Sequence, residues 1–277
     1  MTPAITPRFV VAAAIGAVVA IGAGITIAME RITAEPVARA VPAPVPVVHI
    51  PEFVGNHAFT RGEIVDGLGE SAFLTDLDDG DAIARTALMV SAFYWDRGYA
   101  NVHVGPPRVD RARDALVIPV DEGATFTISS VAVTGDLLGD AASHLAMIQV
   151  HPGVLFSRTM IANDRETLST FYGDRSYAYA TVLPNTKLDL VHDTIALTFD
   201  IERGPAATFE HIDVIASTAD GEAAMRGVLA IAPGQPYSET GLLETKRRIM
   251  ALGRRVAVST KHGSTASLVV ATFEELE

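Results

Sequence analysis

The chain contains no cysteine. Disulfide staples, thiolate catalysis and acylation at a lipobox cysteine are therefore excluded, and the compartment has to be read from the N-terminus. Positive charge is also scarce: 21 Lys and Arg against 33 Asp and Glu give a formal −12. Residues 1–46 contribute +1, so the remainder carries −13. An acidic surface repels phosphate backbones, which argues against nucleic acid as a partner. No Gly-x-Ser-x-Gly elbow, phosphate-binding loop or dinucleotide fingerprint occurs. The eight histidines are scattered from His49 to His262, and none forms a metal-ligand pair at helix or hairpin spacing with a second cluster.

What is present is an internal repeat. Phe93-Tyr94-Trp95-Asp96-Arg97-Gly98-Tyr99-Ala100 returns as Phe171-Tyr172-Gly173-Asp174-Arg175-Ser176-Tyr177-Ala178, 78 residues on, with six of eight positions identical. A run of that specificity at domain-like spacing marks a repeated structural unit. An amphipathic helical pattern precedes each copy: Ile83, Ala87, Leu88 and Val90 in the first, Met160, Ile161, Leu168 and Phe171 in the second. An extended segment follows each copy, then an alternating strand: Leu116, Ile118, Val120 and Ile195, Leu197, Phe199, Ile201. The units close on Glu122-Gly123 and on Glu202-Arg203-Gly204, and a further strand starts beyond each glycine. A third unit is announced by Gly234-Gln235-Pro236-Tyr237-Ser238, which matches Gly153-Val154-Leu155-Phe156-Ser157 at an offset of 81. Ser157 and Ser238 are candidate helix N-caps, and Thr60 with Glu63 forms a capping box.

Residues 9–29 carry no charge, a length close to the ~20 residues that cross a hydrocarbon core as a helix. The span predicts a retained anchor with residues 1–8 in the cytoplasm and the rest outside; a cleaved signal peptide is the alternative. Gly16, Ala20 and Gly24 fall four apart on one face, the spacing of small-residue helix packing within a membrane. Residues 30–46 carry four prolines in an Ala/Val background and predict a semi-rigid spacer. The expected borders are then 47–123, 124–204 and 205–277, each unit reading strand–helix–helix–strand–strand, an α+β class.

This pattern resembles the POTRA (polypeptide-transport-associated) domain. The resemblance is carried by the helix-ending Phe93–Tyr99, by its partner at Phe171–Tyr177, by the Glu-Gly closures at Gly123 and Gly204, and by the opening strand followed by Gly55-Asn56 and Phe59. It spans about 47–277 and is strongest in the first two units. Tandem arrays of this kind look like the periplasmic part of the outer-membrane insertase family of BamA and TamA. No β-barrel segment follows Glu277 in this sequence, so the expectation is a barrel-less relative or a barrel on another chain. The resemblance implies a non-enzymatic, cofactor-free protein of the inner membrane and periplasm. Its implied partners are outer-membrane barrel or assembly and secretion components and unfolded clients.

The repeat residues read as structural: Tyr94 and Tyr172 as core aromatics, Gly98 as a turn needing positive φ, and Asp96/Arg97 with Asp174/Arg175 as solvated or ion-paired turn residues. The acidic run Asp76, Asp78, Asp79, Asp81 reads as a capped helix start, since its spacing does not suit a calcium loop. The candidate binding surface is backbone: a three-stranded sheet covered on one face leaves an edge that accepts an extended peptide. The candidate edges are Ala100, Asn101, Val102, His103, Val104 and Ala178, Tyr179, Ala180, Thr181, Val182. Lys246, Arg247, Arg248, Arg254, Arg255 and Lys261 form a basic cluster that reads first as a solvated helix face and alternatively as a docking site for an acidic partner. The rival readings are a cell-division scaffold of the FtsQ type, an enzyme with a spatially assembled site, and assembly of the chain itself into an oligomer.

Overall fold

The computed structural model of the chain describes residues 48–276. The predicted anchor at 9–29, its Gly16, Ala20 and Gly24, and the spacer at 30–46 lie outside the described residues. Among the described residues no helix is long and apolar enough to cross a membrane.

Three small sheets follow one another along the chain, each with its own helices and its own core. The first module comprises β1 (Glu52–Val54), α1 (Arg61–Leu68), a 3-10 turn, α2 (Gly80–Trp95), β2 (His103–Val104), β3 (Arg108–Asp110) and β4 (Ala115–Asp121). The second comprises β5 (Thr127–Gly135), α3 (Ala141–Leu145), α4 (Arg158–Gly173), β6 (Thr181–Asp189) and β7 (Thr194–Glu202). The third comprises β8 (Thr208–Ile215), α5 (Ala219–Arg226), α6 (Glu239–Ala251), β9 (Val256–His262) and β10 (Leu268–Glu275). In each sheet the last strand is central. It runs parallel to the first strand and antiparallel to the one between, giving the orders β1-β4-β2, β5-β7-β6 and β8-β10-β9.

The alternation read in the sequence supplies the cores. Ile195, Leu197, Phe199 and Ile201 of β7 are all buried beneath Leu168 and Tyr172 of α4. Burying each such side chain contributes about 1.5–3 kcal/mol. Tyr94 and Tyr172 are core residues as expected, and both are fully buried. Each phenol still finds a polar partner. The Tyr94 hydroxyl donates to Glu122 at 2.8 Å, while that of Tyr172 lies 2.8 Å from His144 Nε2 and accepts from the Leu138 amide at 3.1 Å. The helices start where the caps predict. Thr60 and Glu63 form the reciprocal box, and Asp79, Ser157 and Ser238 cap α2, α4 and α6.

Of the opening strand expected from about Val47 to Phe53 with an interruption at Pro51, the part after the proline forms β1; Val47 lies outside the described residues, and His49 forms an isolated bridge with Leu74. The outer strand comes in two segments: Gly105-Pro106-Pro107 divides β2 from β3, because a proline supplies no amide to the ladder.

Candidate functional site

Asp96, half-buried, and Asp174, exposed, are more than turn residues: each bonds to the start of the next module. At the end of α2, Asp96 Oδ1 accepts from the Thr159 amide at 2.8 Å and the Ser157 hydroxyl at 3.0 Å, and Oδ2 accepts from the Thr159 hydroxyl at 2.7 Å. Ser157 caps α4 and accepts from the Met160 amide at 3.1 Å, so the carboxylate of one module completes the helix start of the next. The second joint repeats this. Asp174 takes the Thr240 amide at 2.8 Å, the Ser238 hydroxyl at 3.0 Å and the Thr240 hydroxyl at 2.5 Å. Partial burial pushes both carboxyls up. At Asp96 the Thr159 and Ser157 donors and Arg97 outweigh it, at Asp174 the Thr240 and Ser238 donors and Arg175 do, and both settle below the usual aspartate range.

The arginine beside each aspartate is folded back on its own helix. Arg97 donates to the Phe93 carbonyl at 2.9 Å and stacks 3.6 Å over the Phe93 ring; Arg175 does the same with Phe171 at 2.9 and 3.6 Å. A cation there satisfies an orphan carbonyl at a helix C-terminus. Gly98 adopts φ 96° and turns its carbonyl to the Phe126 amide of the second module, at 2.8 Å. Ser176 adopts φ 74° in the equivalent place and receives the Ala207 amide at 2.7 Å. The turn is left-handed in both copies, so Ser176 carries a strain that Gly98 avoids.

These joints decide where the predicted edges fall. Ala100 and Asn101 lie in the turn, with Ala100 packed against the second core, and Val102 packs against the first. Only His103 and Val104 belong to β2. Ala178 and Tyr179 are in a turn packed against the third core, so neither is an edge residue. The Tyr179 hydroxyl lies 3.2 Å from the carbonyls of Lys261 and Leu268, and its ring stacks on His262 at 3.8 Å. Ala180 packs against the second core, Thr181 opens β6, and Val182 of β6 is buried. β6 is the outer strand of its sheet and is mostly exposed over nine residues, but Pro184 interrupts its run of donors.

The basic cluster is partly neutralised. Arg247 and Arg248 both pair with Glu244, and Arg254 pairs with Glu275. Lys246, Arg255 and Lys261 make no ion pair among the described residues. In the acidic run, Asp79 caps α2 and Asp78 pairs with Arg111.

The edge that sequence reading missed is β9. It runs seven residues without proline, from Val256 to His262, and borders a groove of about 210 Å³ between itself and α6. Glu239, Leu242, Leu243 and Lys246 of α6 form the helix wall, and Val258, Ser259 and Thr260 the strand wall. The absence of proline from this outer strand, alone among the three, was the available signal.

The POTRA family model, described as the surface antigen variable number repeat, matches residues 126–204. The chain is 19% identical over 175 residues to the outer membrane protein assembly factor BamA of Nitratidesulfovibrio vulgaris, covering 61% of this chain and 22% of that protein. It is 24% identical over 181 residues to BamA of Buchnera aphidicola, covering 64% and 28%. It thus spans about a quarter of the length of these curated relatives. The crystal structure of POTRA domains 3–5 of Haemophilus influenzae BamA superposes with a TM-score of 0.67 at 18% identity, covering 84% of this chain and 99% of that one. Residues 126–204 thus match the POTRA family, and the three sheets in series share the fold of the POTRA region of BamA.

Proposed function

We propose that this chain is a membrane-anchored periplasmic protein that binds or scaffolds polypeptides during outer-membrane protein assembly or export, without enzymatic activity or cofactor. One observation carries the reading: three sheets joined in series, each with an outer strand whose far side has no neighbour among the described residues. An exposed edge binds extended chain through main-chain hydrogen bonds, which suits unfolded clients and the tails of partner proteins. The modules 47–123, 124–204 and 205–277 form the arm. Residues 9–29 anchor it in the inner membrane with the N-terminus in the cytoplasm, and barrel or assembly components are its partners. The names of the BamA relatives agree with this role.

Of the three edges, β9 suits strand addition best, because β2 and β3 are split by Pro106-Pro107 and β6 contains Pro184. The test is affinity capture from detergent-solubilised membranes with a tag at Glu277. Recovery of barrel-assembly components is expected; recovery of division-septum proteins in their place would overturn the assignment.

A further inference from the structure

Helix α2 carries a stripe of side chains opposite Val90 and Tyr94, which face the core. Asp81, Arg85, Leu88, Ala92 and Trp95 recur along it at intervals of four and three residues, and none of them is buried. Met89 adjoins the stripe; Leu88 is 59% exposed and Met89 40%. These two form a ridge between two hollows. One, of about 460 Å³, is bordered by Phe73. The other, of about 360 Å³, runs over Ala92 and Trp95 to Arg158 and Ala162 of the second module. The fold does not require this face. Val90, Leu168 and Ile249 share one buried position in the three modules. Along the outer stripe, α4 instead has Thr159, Asn163, Glu166 and Thr170, and α6 has Thr240, Glu244, Arg247 and Ala251. Only the first copy carries bulky apolar groups there, so packing within the module does not dictate them.

A ridge flanked by hollows fits a copy of itself rotated by half a turn. Two such helices crossing antiparallel between Leu88 and Ala92 set the larger side chain of each against the smaller one of the other, inside the Trp95 hollow. The charges are self-complementary too. Asp81 and Arg85 lie towards the start of α2, with Glu70 across the nearer hollow. Asp96 and Arg158 lie at the far end, where Arg158 stacks 4.6 Å over the Trp95 ring. Neither Asp81, Arg85 nor Arg158 makes an ion pair among the described residues. The antiparallel crossing brings Asp81 to Arg158 of the second copy and Arg85 to its Asp96, and the two-fold axis repeats both pairs at the other end.

We propose that the outer face of α2 is a homodimer contact, packed antiparallel on the same face of a second copy of the chain. It uses no sheet edge, so it goes beyond the scaffold reading and stands apart from it. One helix face offers well under the roughly 20–30 residues a side of a stable interface. The dimer is therefore weak, with a Kd on the order of 10 µM.

The test is sedimentation equilibrium of the full chain in detergent, joined to cross-linking on cysteines introduced into a sequence that has none. Leu88→Glu, the residue type the second module carries at that position, should weaken the dimer by about tenfold at unchanged circular dichroism. Asp81→Arg and Arg158→Glu should each weaken it by about fivefold, since two exposed pairs are lost at once, and the double variant should recover that loss. A short thiol cross-linker should join Met89→Cys chains. It should leave Asp81→Cys chains unjoined, because those positions lie about 27 Å apart along the crossed helices. A chain still monomeric at about 100 µM, tenfold above the expected constant, would overturn the proposal. So would a dimer indifferent to Leu88→Glu, which would belong to another surface. Cross-linked Asp81→Cys chains, or a double variant no tighter than the single ones, would overturn the antiparallel pairing.

Discussion

Asp96 and Thr159 face each other across 63 residues of sequence, and the carboxylate takes both the amide and the hydroxyl of the threonine, at 2.8 and 2.7 Å. Asp174 and Thr240 do the same at the next joint. Replacing Asp96 by alanine leaves the Thr159 amide and two hydroxyls without their acceptor, at a cost of about 0.5–1.5 kcal/mol for each bond that water does not replace. The loss falls on the joint rather than on either core. Spin labels on cysteines introduced at the exposed positions Asp66 and Lys187 would read it, with no native thiol to interfere. The inter-label distance distribution should broaden in Asp96→Ala at unchanged circular dichroism. An unchanged distribution would mean that the carboxylate does not fix the joint.

Acid should open the same joints. Both aspartates titrate below the ordinary carboxyl value in the folded chain. A depressed folded value means that the stabilisation is complete above the unfolded pKa of about 3.9 and is lost as pH falls through the lower folded value. The label distances should therefore hold constant from neutral pH down to about 4 and broaden only below it. Asp96→Asn, already uncharged, should lack that acid step at the first joint; an identical step in the variant would assign it to other carboxyls.

Gly98 and Ser176 give opposite expectations from one geometry. Both are left-handed, which costs a residue with a Cβ about 1–2 kcal/mol. Gly98→Ala should lower stability by about that amount, with a further squeeze from Leu155, whose Cδ2 would lie 3.2 Å from the new methyl. Ser176→Gly should be neutral or stabilising by up to about 1 kcal/mol, since strain relief outweighs the added backbone freedom. Chemical denaturation of the two variants checks the pair, and a destabilised Ser176→Gly would contradict it.

Asp164 is buried in α4 and accepts the amides of Gln149 and Val150, both at 2.8 Å. The same helix position holds Thr86 in the first module and Thr245 in the third, where the hydroxyl accepts the Ala230 amide at 2.9 Å. Asp164→Ala should cost about 1–3 kcal/mol, chiefly by stranding the buried Val150 amide. Asp164→Thr should recover part of the loss. Calorimetric melting of both variants tests this, and equal losses would show that the hydroxyl does not substitute here.

The parts of this fold legible in the sequence are those encoded locally. The doubled aromatic run, the alternation of β4 and β7, and the caps at Thr60, Ser157 and Ser238 each depend on residues within a turn or a strand of one another. The role of Asp96 was hidden because its partners lie in another module, so composition alone made it look like a turn residue. Tyr179 was hidden for the same reason: its ring belongs by sequence to the second module and by packing to the third. The pairing within the basic cluster was only partly readable. Glu244 stands three and four residues from Arg247 and Arg248, a spacing readable on a helix, whereas Glu275 meets Arg254 only through the fold of β10.

Three cores joined by short polar clasps have a mechanical consequence. Pulled from its two ends, the arm is a series of stiff bodies linked by softer couplings, and force is the same through every link. The Asp–Thr clasps, the carbonyl contacts of Gly98 and Ser176 and the packing of Ala100 and Tyr179 on the following module should part before any sheet is breached, so extension would begin with small reversible steps at the joints and keep each sheet folded while the chain lengthens.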